Sequence, residues 1–403
     1  MFGKRRTRLT HEGAYFLIVL AFIVVAGSMR QINLMLIMAG MMVGAIYFNW
    51  HLARSMLRRI QIRRRLPDQI GAGDTFTVEV EVSSPHGCTA LVITDAIRPV
   101  DGTRGKGNSR LTSRPAPQMQ SNAAVAQDAK GIVAISNVAP GRTARAEYRV
   151  EFAERGQYEF GPFWVETRHP FGLVARSVRV RRMGRLLVLP RLGRLSESWR
   201  QLAHRVDHGS QQSAGRQRPT DGEFYGLRDW QPGDSRRLIH WRTSARRGGL
   251  MVRQFEQPRS ENLTLLLELW QPEQPSAEER ERVELAIRFA ATATVEACRR
   301  GGSQLQIVVA GQERSSHRGG ASKSLARTIL ASLAVAEAAS RDQLEQLIEA
   351  ATDSRPTAGQ VVLVTSHPAL PDPSALLLAQ GRTSARVVRL VAGSEEFLQY
   401  FQP

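Results

Sequence analysis

The chain has 403 residues, 42% hydrophobic and 23% charged, enough for two or three domains with a sizeable core, so wholesale disorder is not expected. Its formal net charge of +18 asks for a nucleic acid, an anionic membrane surface or an acidic protein as partner. Two cysteines far apart, Cys88 and Cys298, exclude a disulfide framework and any Cys-based metal or redox spacing, and read as buried, reduced core residues.

Residues 13–29 read GAYFLIVLAFIVVAGSM, and after Arg30 residues 31–50 read QINLMLIMAGMMVGAIYFNW, both without a charged side chain. About 20 apolar residues cover a ~30 Å hydrocarbon core, so these two runs predict a transmembrane hairpin over 1–53 with a very short turn. Gly40 and Gly44 form a G-x-x-x-G that would let the first helix approach closely. Lys4, Arg5, Arg6 and Arg8 precede the hairpin, and Arg54, Arg58, Arg59, Arg63, Arg64 and Arg65 follow it, in a basic juxtamembrane linker at 54–66 expected to lie against anionic headgroups. The positive-inside rule then puts both ends in the cytoplasm. A cleaved signal peptide ending near Val25-Ala26-Gly27 is the competing reading; the second apolar run and the arginines after it favour a retained hairpin.

Residues 67–190 read as strands. Thr75-Phe-Thr-Val-Glu-Val-Glu-Val82 alternates with period two, and similar runs at 91–94, 132–135 and 144–152 predict a small antiparallel sandwich. Residues 101–130, rich in Gly, Ser, Arg and Gln, read as a long surface loop. A polar, Arg-rich connector follows within 191–260. From 261 to 403, apolar strand-like runs at 263–269, 305–309, 361–364 and 386–391 alternate with helical patterns at 277–300, 322–338 and 341–352, which predicts an α/β domain with a mainly parallel sheet and helices on both faces.

The most distinctive block runs from 223 to 246. Pro232-Gly233 marks a turn, and Asp234 suits the N-cap of a helix from Ser235 in which Leu238, Trp241 and Ala245 share a face. Arg236, Arg237, His240, Arg242, Arg246 and Arg247 occupy the remainder. Two readings stay open: aromatic core packing with locally paired arginines, or a site for an anion or acidic partner, since guanidinium forks suit carboxylate and phosphate.

This block resembles the signature of the domain of unknown function 58 (DUF58) family, roughly R-x-Y-x-x-G-D-x-x-R-x-I-x-W-x-x-S-A-R. It is met by Arg228, Trp230 in the aromatic place, Gly233, Asp234, Arg237, Ile239, Trp241, Ser244, Ala245 and Arg246, with His240 where an acidic residue is common. Arg155-Gly-Gln-Tyr-Glu-Phe-Gly-Pro162 and His169-Pro-Phe-Gly172 are similar to the family's β-region segment. The resemblance implies a membrane-anchored α+β architecture: a two-helix anchor, a β-rich region and a C-terminal domain resembling von Willebrand factor A. It also implies a bacterial inner-membrane protein, often encoded beside a MoxR-type AAA+ ATPase and other von Willebrand-type proteins, in sets thought to assemble or remodel partner complexes.

A metal-binding von Willebrand A domain carries D-x-S-x-S after its first strand; here Glu268-Leu-Trp-Gln-Pro272 stands there, and Val364-Thr-Ser-His367 replaces a later acidic turn, so no metal and no cofactor are expected. His204, His208, His240 and His367 belong to no nucleophile elbow, Cys-His pair or H-E-x-x-H, and no catalytic residue is assigned. Basic stretches at 176–185 and 236–247 lack interleaved stacking aromatics, which disfavours nucleic acid. The expectation is a non-enzymatic scaffold or adaptor, with Arg228, Trp230, Gly233, Asp234, Arg237, His240, Trp241, Ser244 and Arg246 as candidate partner-binding residues. A membrane-linked nucleic-acid binder and an unrecognised enzyme are the alternatives.

Overall fold

The structure, a computed structural model, describes residues 2–30, 32–100, 129–202, 223–232, 234–256, 263–341, 343, 347, 360–368 and 387–403. Most of the expected loop at 101–130, most of the expected helix at 341–352, His204, His208 and Gly233 therefore lie outside the described residues. The chain divides into two compact units, Met1–Arg191 and Leu192–Pro403.

In chain order the first unit contains β1 (Phe2–Leu9), α1 (His11–Arg30), α2 (Asn33–Met56), β2 (Gln61–Arg65), β3 (Gln69–Gly71), β4 (Thr75–Ser83), β5 (Cys88–Pro99), β6 (Ala129–Val138), β7 (Thr143–Glu151), β8 (Gly156–Thr167), β9 (Val174–Val180) and β10 (Gly184–Leu189). At 1.5 Å per residue the 20-residue α1 and 24-residue α2 are about 30 and 36 Å long. Both are long and apolar enough to cross a membrane, and only 11% of each one's most apolar window is buried. Phe22 and Met41 stand more than 70% exposed, an apolar surface that water does not tolerate on a monomer. Gly40 and Gly44, expected at the helix contact, face open space; the close approach falls at Gly27, where an added Cβ would lie 3.0 Å from Met35.

The strands form a sheet ordered β1-β9-β8-β10-β3, extended by β5 on β8 and β6 on β5, and a second sheet β2-β4-β7. The two sheets share one core, in which Val78, Val80 and Val82 of β4 meet Ile93, Phe160, Val165 and Val178. The period-two pattern thus produced the expected sandwich, antiparallel except where β10 runs parallel to β3. At Gly161 (φ +104°) an added Cβ would lie 2.4 Å from the Arg182 carbonyl oxygen, so the Gly-Pro step in the 155–162 motif needs a residue without a side chain.

Two basic segments expected to be loose flanks are strands. β1 joins the sheet edge on β9, with Arg6 and Arg8 exposed; charged residues on an edge strand discourage pairing with another chain. In β2, Ile62 and Arg64 share the inward face because their spacing is two. Arg64, expected at the headgroups, is therefore buried. Its guanidinium forks onto Asp95, with Nε donating to Oδ2 at 2.7 Å, and lies 4.3 Å from the Phe163 ring centroid. The Tyr148 hydroxyl donates to the same Oδ2 at 2.6 Å. Burial pushes the Asp95 carboxyl up against the pull of Arg64 and Tyr148, and it also pushes the Tyr148 hydroxyl up, keeping it a donor.

The second unit holds β11 (Arg194–Leu195), β12 (Glu223–Asp229), α3 (Trp241–Arg247), β13 (Met251–Glu256), β14 (Leu263–Glu268), α4 (Ala277–Arg300), β15 (Gln304–Ala310), β16 (Ser315–Gly320), α5 (Lys323–Val335), β17 (Gln360–Thr365), β18 (Val387–Val391), α6 (Glu395–Tyr400) and β19 (Phe401–Gln402). Its main sheet is ordered β16-β15-β14-β17-β18, parallel apart from β16. A Ser276/Glu279 capping box starts α4. Among the described residues α4, α5 and α6 all cover one face, through Leu265, Ile307 and Val364; Leu266, Val308 and Leu363 on the other face are buried as well. Part of the expected polar connector is core: Trp199 packs edge-on against Phe289 at 5.0 Å, beside Phe397 and Phe401.

Within the first unit the helices are tied to the sandwich without a flexible link. Thr10 alone separates β1 from α1, and its hydroxyl lies 2.6 Å from the Gly172 carbonyl oxygen and 2.9 Å from that of Leu173, while accepting from the Gly13 N–H. A Cβ on Gly13 would lie 2.1 Å from the Leu173 oxygen. Asn49, fully buried in α2, donates to the His169 carbonyl and accepts the N–H groups of Leu173 and Val174. Leu57 and Ile60, just past α2, belong to the sandwich core. In Asn49→Leu, of similar size, those three backbone groups lose their partner, at roughly 1–3 kcal/mol per buried orphan. We expect the thermal midpoint of the detergent-solubilised full chain to fall by roughly 6–12 °C for about 3 kcal/mol; an unchanged midpoint would show that the latch contributes nothing.

Candidate interaction site

The block at 223–256 folds as a β-hairpin with a helical insert. β12 and β13 pair antiparallel, Arg228 opposite Val252 and Asp229 opposite Met251. After β12 the chain turns, and the Arg228 guanidinium grips Asp234 with two bonds, Nη1 to Oδ2 and Nη2 to Oδ1, each 2.7 Å. Asp234 also accepts the Gln231 N–H at 2.9 Å, and the Trp230 N–H donates to the Leu250 carbonyl. The carboxylate therefore closes this turn. The Arg228 guanidinium holds the Asp234 carboxyl below its usual range, helped by the Gln231 N–H, and Asp234 in turn raises Arg228.

Asp234 does not cap a helix, and no helix starts at Ser235. Arg236–Leu238 make a single 3-10 turn, and Ile239 then extends to bridge Val252. The helix begins at Trp241, capped by His240, whose Nδ1 accepts from the Thr243 N–H at 3.3 Å. An imidazole therefore does the work expected of the acid, because Arg228 has already taken the carboxylate. α3 ends on Gly248 in the left-handed region, φ +71°. Ser244 is the buried anchor: its hydroxyl accepts the Met251 N–H at 2.8 Å and donates to the His240 carbonyl.

The face shared by Leu238, Trp241 and Ala245 is not the buried one. Trp241, open between core and binding site in the sequence, is 66% exposed, and Ala245 is exposed too; Ile239, Ser244, Met251 and Val252 are the buried residues. Arg236, Arg237, Arg242, Arg246 and Arg247, all within six residues of Trp241 in sequence, are exposed, and among the described residues none of the five makes an ion pair. The nine candidate residues thus separate by role. Arg228 and Asp234 are paired, with His240 and Ser244 holding the scaffold. Trp230 lies half-buried beside them, Arg237, Trp241 and Arg246 face outward, and Gly233 is outside the described residues. Arg236, Arg242 and Arg247 join the exposed group, although the signature pattern does not single them out.

Residues 226–398 match the protein family described as "Protein of unknown function DUF58". Over those residues the chain belongs to the DUF58 family. It is 32% identical over 127 residues to the "Uncharacterized protein YeaD" of Bacillus subtilis (strain 168), a match spanning 32% of this chain and 31% of that protein, so about a third of the relative is covered. Among solved structures, the C-terminal domain of wzt covers 32% of this chain and 70% of its own at 11% identity and TM-score 0.19. A superoxide reductase (neelaredoxin) from Ignicoccus hospitalis covers 30% and 77% at 9% identity and TM-score 0.14. Likenesses this slight carry no argument about fold or function.

The DUF58 region also contains the place where the sheet reverses direction, between the carboxyl ends of β14 and β17, the usual crevice for a ligand in an open α/β sheet. Polar side chains beside it bond to other protein groups. The Thr365 hydroxyl donates to Glu268 at 2.7 Å, and the Ser366 hydroxyl accepts the Trp270 N–H and donates to the Trp270 carbonyl, both at 2.7 Å. The His367 ring lies 4.2 Å from the Trp270 ring. Among the described residues no group of three or more His, Cys, Asp or Glu side chains gathers anywhere.

Asp234's lowered pKa fixes the sign of a pH dependence. The stabilisation is present above the unfolded carboxyl value near ~4 and is lost as pH falls through the lower folded value. Protection of the Gln231 amide, corrected for intrinsic exchange, should hold at neutral pH, fall in strong acid, and be lost at all pH values in Asp234→Ala, which removes the acceptor; equal protection in that variant would refute the closure.

Proposed function

We propose that this chain is a non-enzymatic membrane adaptor whose α3 face binds an acidic protein partner, of the class of a MoxR-type AAA+ ATPase. One observation carries the reading: one short segment exposes Trp241 together with Arg236, Arg237, Arg242, Arg246 and Arg247, and these five make no ion pair among the described residues. Trp and Arg are the residue types that dominate binding energy at protein interfaces, and unpaired guanidinium groups lose little on meeting carboxylates. The Arg228–Asp234 closure and the buried Ser244 hold α3 in place, so the face is presented ready-made.

The anchor of this adaptor is the α1–α2 hairpin, spanning an inner membrane twice with both termini cytoplasmic. Arg54, Arg58, Arg59 and Arg63 beyond the spans, against the lone Arg30 at the turn, support that orientation. The C-terminal domain is von Willebrand A-like, a reading supported by the doubly wound order with an antiparallel edge strand, and it works without a metal or cofactor. A second reading, a nucleic-acid binder, gains from the same exposed indole among guanidinium groups, which is the pairing a single-strand stacking platform uses.

The full chain in detergent should retain a purified MoxR-type ATPase, more weakly as salt rises. Trp241→Ala and the double variant Arg242→Glu/Arg246→Glu should each weaken retention about tenfold or more while leaving the thermal midpoint unchanged. Failure to retain the ATPase with or without nucleotide, or retention indifferent to these variants, overturns the adaptor reading. Salt-steep binding of oligo-dT lost in the same variants would favour the nucleic-acid reading instead.

A further inference from the structure

The turn that accepts the Asn49 and Thr10 hydrogen bonds, residues 169–173, also displays an aromatic side chain. Phe171 is 55% exposed, yet its neighbours on either side are engaged: the His169, Gly172 and Leu173 carbonyls and the Leu173 N–H all meet the helical hairpin. The Phe171 ring lies 6.3 Å from that of Phe48 on α2, itself 54% exposed. Tyr47 and Trp50 flank Phe48, and the Arg54 guanidinium sits 5.5 Å over the Trp50 ring, the aromatic-and-cation belt expected at a headgroup level.

Length decides the depth of this belt. Counted from the latch at Gly13 and Asn49 to the turn after Arg30, each helix offers about 16 residues, or roughly 24 Å, to the bilayer. A hydrocarbon core of ~30 Å is longer than that, so the membrane covers the helices up to the latch, by local thinning if need be, rather than stopping short of it. The turn cannot withdraw, because the buried Asn49 amide and the Gly13 contact leave no slack between helix and sandwich.

We propose that the β-sandwich is itself a membrane-interface domain, with the 169–173 turn seated at the headgroup boundary and the Phe171 ring among the upper acyl carbons. This rests on the membrane reading of the hairpin above. The occupant of the exposed Phe171 face is lipid, since the face is continuous with the apolar surface of α2 through Phe48.

The test uses the full chain in phospholipid nanodiscs, spin-labelled at Phe171→Cys, at Val25→Cys in α1 and at Ala153→Cys in the turn before β8. The strand places Ala153 on the order of 35 Å from the 169–173 turn. Cys88 and Cys298 are buried, and the parent chain reports any labelling there. Collisional relaxation should show Phe171→Cys and Val25→Cys several-fold more accessible to oxygen than to a polar nickel chelate, and Ala153→Cys the reverse. A chelate-accessible Phe171→Cys beside a lipid-facing Val25→Cys overturns the interface while leaving the hairpin embedded. Chelate access at Val25→Cys sinks the membrane reading itself. Exclusion of both reagents at Phe171→Cys, with dipolar broadening, would show a second copy of the chain covering the face and would also overturn the proposal.

Discussion

A buried side-chain amide joins the two halves of the first unit. Asn49 lies where the apolar run of α2 ends, fully buried, where an unsatisfied amide costs several kcal/mol, and every bond it makes is to the backbone of the 169–174 segment. Thr10 and Gly13 repeat the arrangement on the other helix. Because α2 runs on into Leu57 and Ile60 of the sandwich core, the chain leaves no hinge between hairpin and sandwich. Orientation of the one dictates orientation of the other.

The same logic explains where the positive charge goes. A composition of +18 suggests a uniformly basic molecule, but the structure sorts its arginines by environment. Arg64 lies in the core on Asp95, where removing either partner would strand the other; Arg65 and Arg145 share Glu79 and Glu81 at the surface, a pairing of small energetic consequence. Arg228 closes a turn on Asp234. Arg236, Arg237, Arg242, Arg246 and Arg247, near Trp241 in sequence, are left facing outward, and the proposed α3 face rests on that sorting, not on the net charge.

The DUF58 signature accordingly mixes two kinds of residue. Arg228, Asp234 and Ser244 build the hairpin, while Arg237, Trp241 and Arg246 present a surface. Substitution at the first kind would remove hydrogen bonds that hold the hairpin, whereas substitution at the second would leave those bonds intact. The crevice where the strand order reverses offers a contrast: there Thr365 spends its hydroxyl on Glu268, and Ser366 and Trp270 bond to one another.

Local pattern was enough to read the two apolar helices, the alternating strand at 75–82 and the parallel-rich sheet after 261, because hydrophobic period and length are properties of neighbouring residues. The family signature was legible for the same reason. Whether a given polar or aromatic residue points inward depends on which distant segment reaches it first. Trp241 could be core or surface until Ile239 bridged Val252 and left the indole exposed; Asp234 looked like a cap until Arg228, six residues earlier, took its carboxylate. Asn49 was a signal in the apolar run, an amide that demands a partner if buried, but nothing local names a turn 120 residues away as that partner. Sequence alone determined the long apolar helices and the principal strands; the fold decided which side chains are spent on holding it together and which remain exposed.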